Sequence, residues 1–248
     1  MSERRCNGVL PMWRALATLL LLVCSGAAIA QNNVCAKTAP NARYAIAHDQ
    51  FVMPPKVKAL LLDIADGNQP AVSDDVQQMH AAFDSKQMSR WLDWALFEAT
   101  YFNKASTAEW LIAQGADVNA TPLQPAFTGD SHPPEKMWSP LQQAADCGNS
   151  AVLEVLLRHG ADMYASIRQS EPMPGALLLA IIGVHERAID VLLDHGYDAC
   201  LVHANYYPSD VTAAELARRR GLPDAVVQRL ASLSTKCAEV PLHSLPKH

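Results

Sequence analysis

Apolar positions along this chain fall into short blocks at helical spacing, and the clearest block is Ser139–Ala165. Leu141, Ala144 and Ala145 share one helical face behind Ser139-Pro140. Pro suits the first turn of a helix, where a missing N–H costs nothing. Gly148-Asn149 ends that helix, and Val152, Val155, Leu156 and Leu157 make the stripe of a second, which Gly160 stops. The arrangement recurs. Sixteen residues before each Gly-x-Asp turn stands an Ala: Gly115-Ala116-Asp117 leads to Ala99, Gly160-Ala161-Asp162 to Ala144, and Gly196-Tyr197-Asp198 to Ala180. An apolar pair precedes every turn: Leu111-Ile112, Leu156-Leu157 and Leu192-Leu193. A fourth copy runs Thr212–Leu230, with Ala217 and Gly221 in the places of Ala144 and Gly148. The copies are 45, 36 and 37 residues apart, and Thr121–Trp138, with four Pro, takes up the largest gap as a long loop.

The N-terminal third lacks this pattern. Residues 31–54 have no clear period and read as an extended arm ending at Pro54-Pro55. Lys56–Ala65 is apolar enough for a helix closed by Gly67. Ser73-Asp74-Asp75 then opens a helix to about Phe83, since both side-chain type and charge suit a helix N-terminus.

Ser139-Pro140-Leu141-Gln142, with Ala144-Ala145 behind it, closely resembles the T-P-L-H-x-A marker of an ankyrin repeat, a unit of ~33 residues. The resemblance covers roughly residues 91–236 and implies an all-α ankyrin-repeat solenoid of about four units with short β-turn fingers. Residues 55–90 become an N-terminal helical cap, because a stacked array needs terminal units with a polar outer face. Residues 237–248 are a C-terminal tail. The first copy has Asn103 for the helix-ending Gly, the next best residue there. The third has Val184, a costly β-branched choice, so its turn is expected to slide by one onto Gly183. The third copy also has Gly175-Ala176-Leu177-Leu178 in place of the marker, and the fourth has no Gly-x-Asp turn.

Half of the 248 residues are hydrophobic and the formal net charge is −5, which argues against nucleic acid as the main partner. Met1–Ala30 reads as a secretory signal peptide: Arg4, Arg5 and Arg14, then the apolar run Ala15–Val23, then Ala28-Ile29-Ala30 as the cleavage site. The run is too short for a membrane span, and Val23 before Cys24 is larger than a lipoprotein signal usually has. The mature chain, from Gln31, has 17 basic and 24 acidic residues, a net −7, and keeps Cys35, Cys147, Cys200 and Cys237. It is expected in the periplasm or outside the cell, as a monomer not bound to a membrane. An even Cys count there suggests disulfides, with three possible pairings.

No catalytic motif survives inspection: G-x-S-x-G, H-E-x-x-H, a P-loop, C-x-x-C and an EF-hand loop are all missing from the sequence. No cofactor or metal is expected. His159 and His195 hold equivalent places ~8–10 Å apart, whereas zinc needs nitrogens at ~2 Å. Asp117, Asp162 and Asp198 are turn residues. Arg218-Arg219-Arg220 reads first as a solvated helix end. An enzyme site in loop 121–138 or the N-terminal helices is the alternative, against which stands the lack of any paired nucleophile and base.

The ankyrin resemblance implies protein binding, through finger tips, the concave end of each first helix, and the place beside each turn Gly. The matching positions are Tyr101, Phe102 and Gln114, then Asp146, Cys147 and His159, then Ile182, Gly183 and His195, then Arg219 and Arg220. Phe127, His132 and Trp138 in or beside the long loop, and Tyr206-Tyr207, extend the set. Exposed aromatics are typical anchors; equally, the arm could lie over Tyr101 and Phe102. The resemblance to exported bacterial ankyrin proteins implies an immunity protein masking a toxin, or an accessory factor for another exported protein. In the repeat register Cys200 and Cys237 hold equivalent places, and a last unit without a regular turn is free to fold back. Cys200–Cys237 is therefore the preferred pair, leaving Cys35–Cys147 to pin the arm across the concave face.

Overall fold

The computed structural model describes residues 34–48, 50–123, 137–165, 174–200 and 211–234. Eleven helices lie among them: α1 (Val34–Ala47), α2 (Pro55–Asp66), α3 (Gln69–Ala82), α4 (Ser85–Tyr101), α5 (Ala105–Ala113), α6 (Pro140–Cys147), α7 (Ser150–Arg158), α8 (Ala176–Ile182), α9 (Glu186–Asp194), α10 (Ala213–Arg219) and α11 (Asp224–Ser234). From α2 onward they form pairs. The first helices α2, α4, α6, α8 and α10 each pack on the next, and behind them α5 packs on α7 and α7 on α9. The fold is an all-α, ankyrin-like helical repeat solenoid.

Local sequence sets the helix ends. Ser139 and Gln142 close a reciprocal capping box at α6: Gln142 N–H donates to Ser139 Oγ at 3.3 Å, and Ser139 N–H to Gln142 Oε1 at 3.0 Å. Asp84 and Gln87 do the same for α4. The Gln142 amide continues to the Pro174 carbonyl at 2.9 Å, so one cap also fastens the following unit. Each first helix then ends in a left-handed residue: Gly67, Asn103, Gly148, Val184 and Gly221, spaced by 36, 45, 36 and 37 residues. At all five, the N–H of that residue reaches the carbonyl three back, and the next N–H the carbonyl five back. The pair α2–α3, read from the sequence as a cap unlike the repeats, is thus built on the same inner turn. Its outer end at Phe83 is extended and carries no Gly-x-Asp, so matching on that motif does not find it.

Three other expectations change. The arm 31–54 is not extended throughout, because it contains helix α1. That helix buries Cys35, Ala45 and Ile46 and carries Pro40 inside it, so no clean period shows in its sequence. The helix expected to open at Ser73 begins at Gln69, with Pro70 in its first turn. The boundary drawn between residues 90 and 91 falls inside α4, which starts at Ser85.

The third inner turn does not slide. Val184 holds φ 59° and is 7% exposed, while Gly183 stays right-handed at φ −76°. Gly183 is needed for space instead. A Cβ on it would stand 2.4 Å from Cδ2 and Nε2 of His185, and one on Gly148 would stand 2.5 Å from Nδ1 of the same ring. His185 fills the gap between two glycines of successive units.

The outer turns Gly115, Gly160 and Gly196 carry a ladder that confirms the Asp residues as scaffold. Asp93 accepts from Asp117 N–H at 2.8 Å. Asp117 accepts from Asn119 N–H, and Asn119 accepts from Asp162 N–H at 2.7 Å. Asp162 accepts from Tyr164 N–H, whose hydroxyl accepts from Asp198 N–H at 2.8 Å. In the last pair α11 runs to Ser234, straight through Leu233, where a turn would stand in the other units.

Leu156 is fully buried at the centre of the array. Leu156→Ala should cost ~2–5 kcal/mol in equilibrium denaturation, with loosening of the neighbouring pairs. Gly183→Ala, which forces a Cβ into the His185 ring, should cost ~1–3 kcal/mol.

Candidate functional site

The C-terminal ends of the first helices carry the residues that the sequence singled out, and α1 crosses three of them. At α6, Cys35 is bonded to Cys147, with Cα atoms 5.3 Å apart. At α4, the Thr38 and Tyr101 hydroxyls share a short hydrogen bond. At α2, the Arg43 guanidinium forks onto both Asp66 oxygens, at 2.6 and 2.8 Å. Both bridging cysteines are buried, and the Gln143 amide donates to their sulfurs, at 3.0 Å to Cys147 and 3.7 Å to Cys35. The arm therefore does lie over this face, as a helix, and the pairing of Cys35 with Cys147 is present.

Two carboxyls, those of Glu98 and Asp146, lie within electrostatic reach of Tyr101. Glu98, one turn before Phe102, is 9% exposed, and burial pushes its carboxyl up to about 8. Asp146 is half-buried and pushed up to about 6, again by burial. Burial also raises the Tyr101 phenol; the bond to Thr38 opposes that shift, and the charges of Glu98 and Asp146 add to it. The Asp146 backbone carbonyl accepts from His185 Nε2–H at 2.7 Å. Burial lowers the His185 pKa, with that bond working in the opposite direction. Sequence reasoning did not single out His185. Its signal was the residue after a left-handed turn position, where an imidazole is long enough to reach back one unit.

Of the other expected contact residues, Phe102 stands edge-on to Tyr101, and Phe102, Trp138 and Ile182 are half-buried against the core. Gln114 is exposed at the end of α5. His159 and His195 are not free beside their turns. His159 Nε2 lies 3.7 Å from Glu109, and His195 Nε2 lies 3.1 Å from Glu154, each acid belonging to the preceding unit. Arg229 continues the series onto Asp190 and Asp194, both at 2.6 Å. These pairs fasten second helices to one another. Arg219 is exposed and bonds Glu215 within its own helix at 2.8 Å, as Arg218 also does, and Arg220 is half-buried. Phe127, His132, Tyr206, Tyr207 and Cys237 lie outside the described residues. Cys200 is disulfide-bonded, and its backbone N–H donates to Asp198 at 2.9 Å.

Glu98 gives the site a pH signature. In the unfolded chain this carboxyl loses its proton near its ordinary 4.5; in the native chain it keeps it to about 8. The native state therefore binds more protons across that window, and stability falls as pH rises through it. Asp146 contributes at the acid side, from its ordinary 3.8 to about 6. Glu98→Gln should flatten the loss. Its thermal stability should match wild type near pH 4 and exceed it near pH 8.5, by on the order of a few kcal/mol. Melts at both pH values decide it.

Comparison with known proteins agrees with the helix pairs at the centre of the array. No curated protein matches the chain. Residues 136–165 match the ankyrin repeat family. That stretch holds α6, its left-handed Gly148, α7 and the Gly160 turn, and the pairs on either side stack on it through the same inner turn.

Proposed function

We propose that this chain is a non-enzymatic protein-binding scaffold that works outside the cytoplasm, in the periplasm or the external medium. Ankyrin repeats generally mediate protein–protein binding, and the ankyrin unit at 136–165 stands within five stacked helix pairs. The single observation that carries the location is the buried bridge between Cys35 and Cys147. Such bonds persist in oxidising compartments and are rare in the cytosol, and this agrees with the signal-peptide reading of residues 1–30. The scaffold acts as a monomer, without cofactor, nucleic acid or membrane attachment after signal cleavage.

Its partner is another exported protein, and we favour a toxin that this chain masks as an immunity protein. An accessory role toward an exported enzyme is the second form of the same reading. The part of the inner face beyond α1, at Ile182, Arg219 and Arg220, is the end left for such a partner. The test is expression of the full chain with the product of an adjacent toxin-like gene. The chain should be recovered from the periplasm beginning at Gln31 and should protect the cell. Retention in the cytoplasm overturns the location, and unprotected growth overturns the immunity form. Arg219→Glu should slow association with an acidic partner several-fold and leave dissociation nearly unchanged, read by surface-binding kinetics.

A further inference from the structure

We propose that residues 34–39, the first half of α1, are a disulfide-latched flap over the ends of α4 and α6, and that releasing the latch opens a surface for a cationic peptide segment. The partner class rests on the protein-binding reading above; the flap does not.

The two halves of α1 are held differently. After Pro40, Ala45 and Ile46 enter the core, 5% and 3% exposed, and Arg43 forks onto Asp66. Before it, Cys35 is as deeply buried, at 4% exposed, and the helix meets the array at the Cys35–Cys147 bond, at the Gln143 amide that donates to Cys35 Sγ, and at the Thr38–Tyr101 hydrogen bond. Pro40 separates the halves. It has no N–H for the carbonyl of Ala36, and its ring crowds that carbonyl, so the helix is weakest there. The hinge thus lies between an anchored half and a half whose one covalent tie to the array is a redox bond.

The surface beside the flap is acidic and aromatic. Glu98 and Asp146 both lie within electrostatic reach of the Tyr101 hydroxyl, and Phe102 packs edge-on against that ring. Among the described residues neither carboxyl is hydrogen-bonded or ion-paired, and burial alone accounts for both raised pKa values. Lifting the flap admits water, returns both groups toward their ordinary values and makes them anionic at neutral pH. Two carboxylates beside two aromatic faces complement Lys or Arg side chains.

The chemistry balances with a dithiol reductant of the thiol–disulfide oxidoreductase class. One reductant thiolate attacks the sulfur of Cys35, the less deeply buried of the pair at 4% against 0%. The Cys35–Cys147 bond breaks, and Cys147 leaves as a thiolate and takes up a proton. The second reductant thiolate resolves the mixed disulfide, Cys35 is protonated in turn, and the reductant departs as its own disulfide. Two electrons and two protons have then passed to the chain.

The experiment compares the oxidised full chain with Cys35→Ser, which leaves the Cys200 bridge untouched. In Cys35→Ser the Cys147 thiol should react with maleimide within minutes in native buffer, while amide exchange stays slow from α2 to α9. Fluorescein-labelled deca-lysine should bind this variant at least tenfold tighter than the oxidised chain, and Glu98→Gln with Asp146→Asn in the same background should remove the gain. Adding Pro40→Ala, which restores a continuous helix, should slow the alkylation at least fivefold. Alkylation that keeps pace with amide exchange across the whole array overturns the flap, as does alkylation unaffected by Pro40→Ala. Equal peptide binding to both chains, or a gain that survives the carboxyl substitutions, overturns the acidic surface. Should Cys35→Ser fail to fold, timed dithiol reduction of the wild type gives the same readout: labelling of Cys35 and Cys147 with helicity retained supports the flap, and helicity lost in step with labelling overturns it. Alkylation needs no partner, so failure of the flap and failure of the binding reading are told apart.

Discussion

The stacking of the helix pairs depends on the residue that follows the left-handed turn position in the three middle pairs. That residue caps a second helix, and its side chain reaches back one unit. The Lys104 ammonium lies 3.0 Å from where a Cβ on Gly67 would stand. The Asn149 amide donates to the Thr100 carbonyl at 2.7 Å. The His185 ring covers Gly148 and donates to the Asp146 carbonyl. In the last two cases the acceptor is a carbonyl at the end of a first helix: that of Thr100 also takes the Asn103 N–H, at 3.2 Å, whereas that of Asp146 takes the His185 ring alone among the described residues. One contact therefore satisfies a buried backbone group and sets the spacing of neighbouring units. His185 is 8% exposed, so loss of its ring would leave the Asp146 carbonyl without its donor.

The outer side is closed differently. Glu109, Glu154 and Asp190 hold equivalent places on successive second helices, and each meets a base from the next unit. These side chains are partly exposed, so each pair is worth well under what a buried contact gives, about 0–1 kcal/mol. Their role is better described as alignment. The apolar stripe of α7 and the fully buried first turns of α8 carry the energy.

Legibility in the sequence followed how local each cause is. The inner and outer turns could be read because a left-handed residue leaves a Gly or Asn at a constant distance from an Ala. Val184 was misjudged for a reason no local rule contains: the adjacent Gly183 is reserved for the His185 ring, so the strain stays on the Val. The contacts of His159 and His195 with Glu109 and Glu154 could not be read from the repeat, since the two acids lie 50 and 41 residues earlier in the chain. Helix α1 could not be seen, because its few buried side chains and Pro40 leave no period. The Cys35–Cys147 bond was reachable because it follows from repeat register and elimination, which need no knowledge of α1.

That bond explains how so weakly amphipathic a segment is placed at all. A short helix interrupted by Pro gains little from its own hydrogen bonds, and α1 buries only part of its length. The bridge spans 112 residues of sequence. In the chain-entropy view, closing a loop of that size restricts the unfolded chain by about 4–5 kcal/mol. This stabilisation acts on the whole domain and is independent of how well the first turns of α1 pack. The covering of Tyr101 and Cys147 is thus decoupled from local packing and tied to oxidation. The array beneath is held by its own turns and core, to which the bridge adds its restriction of the unfolded chain.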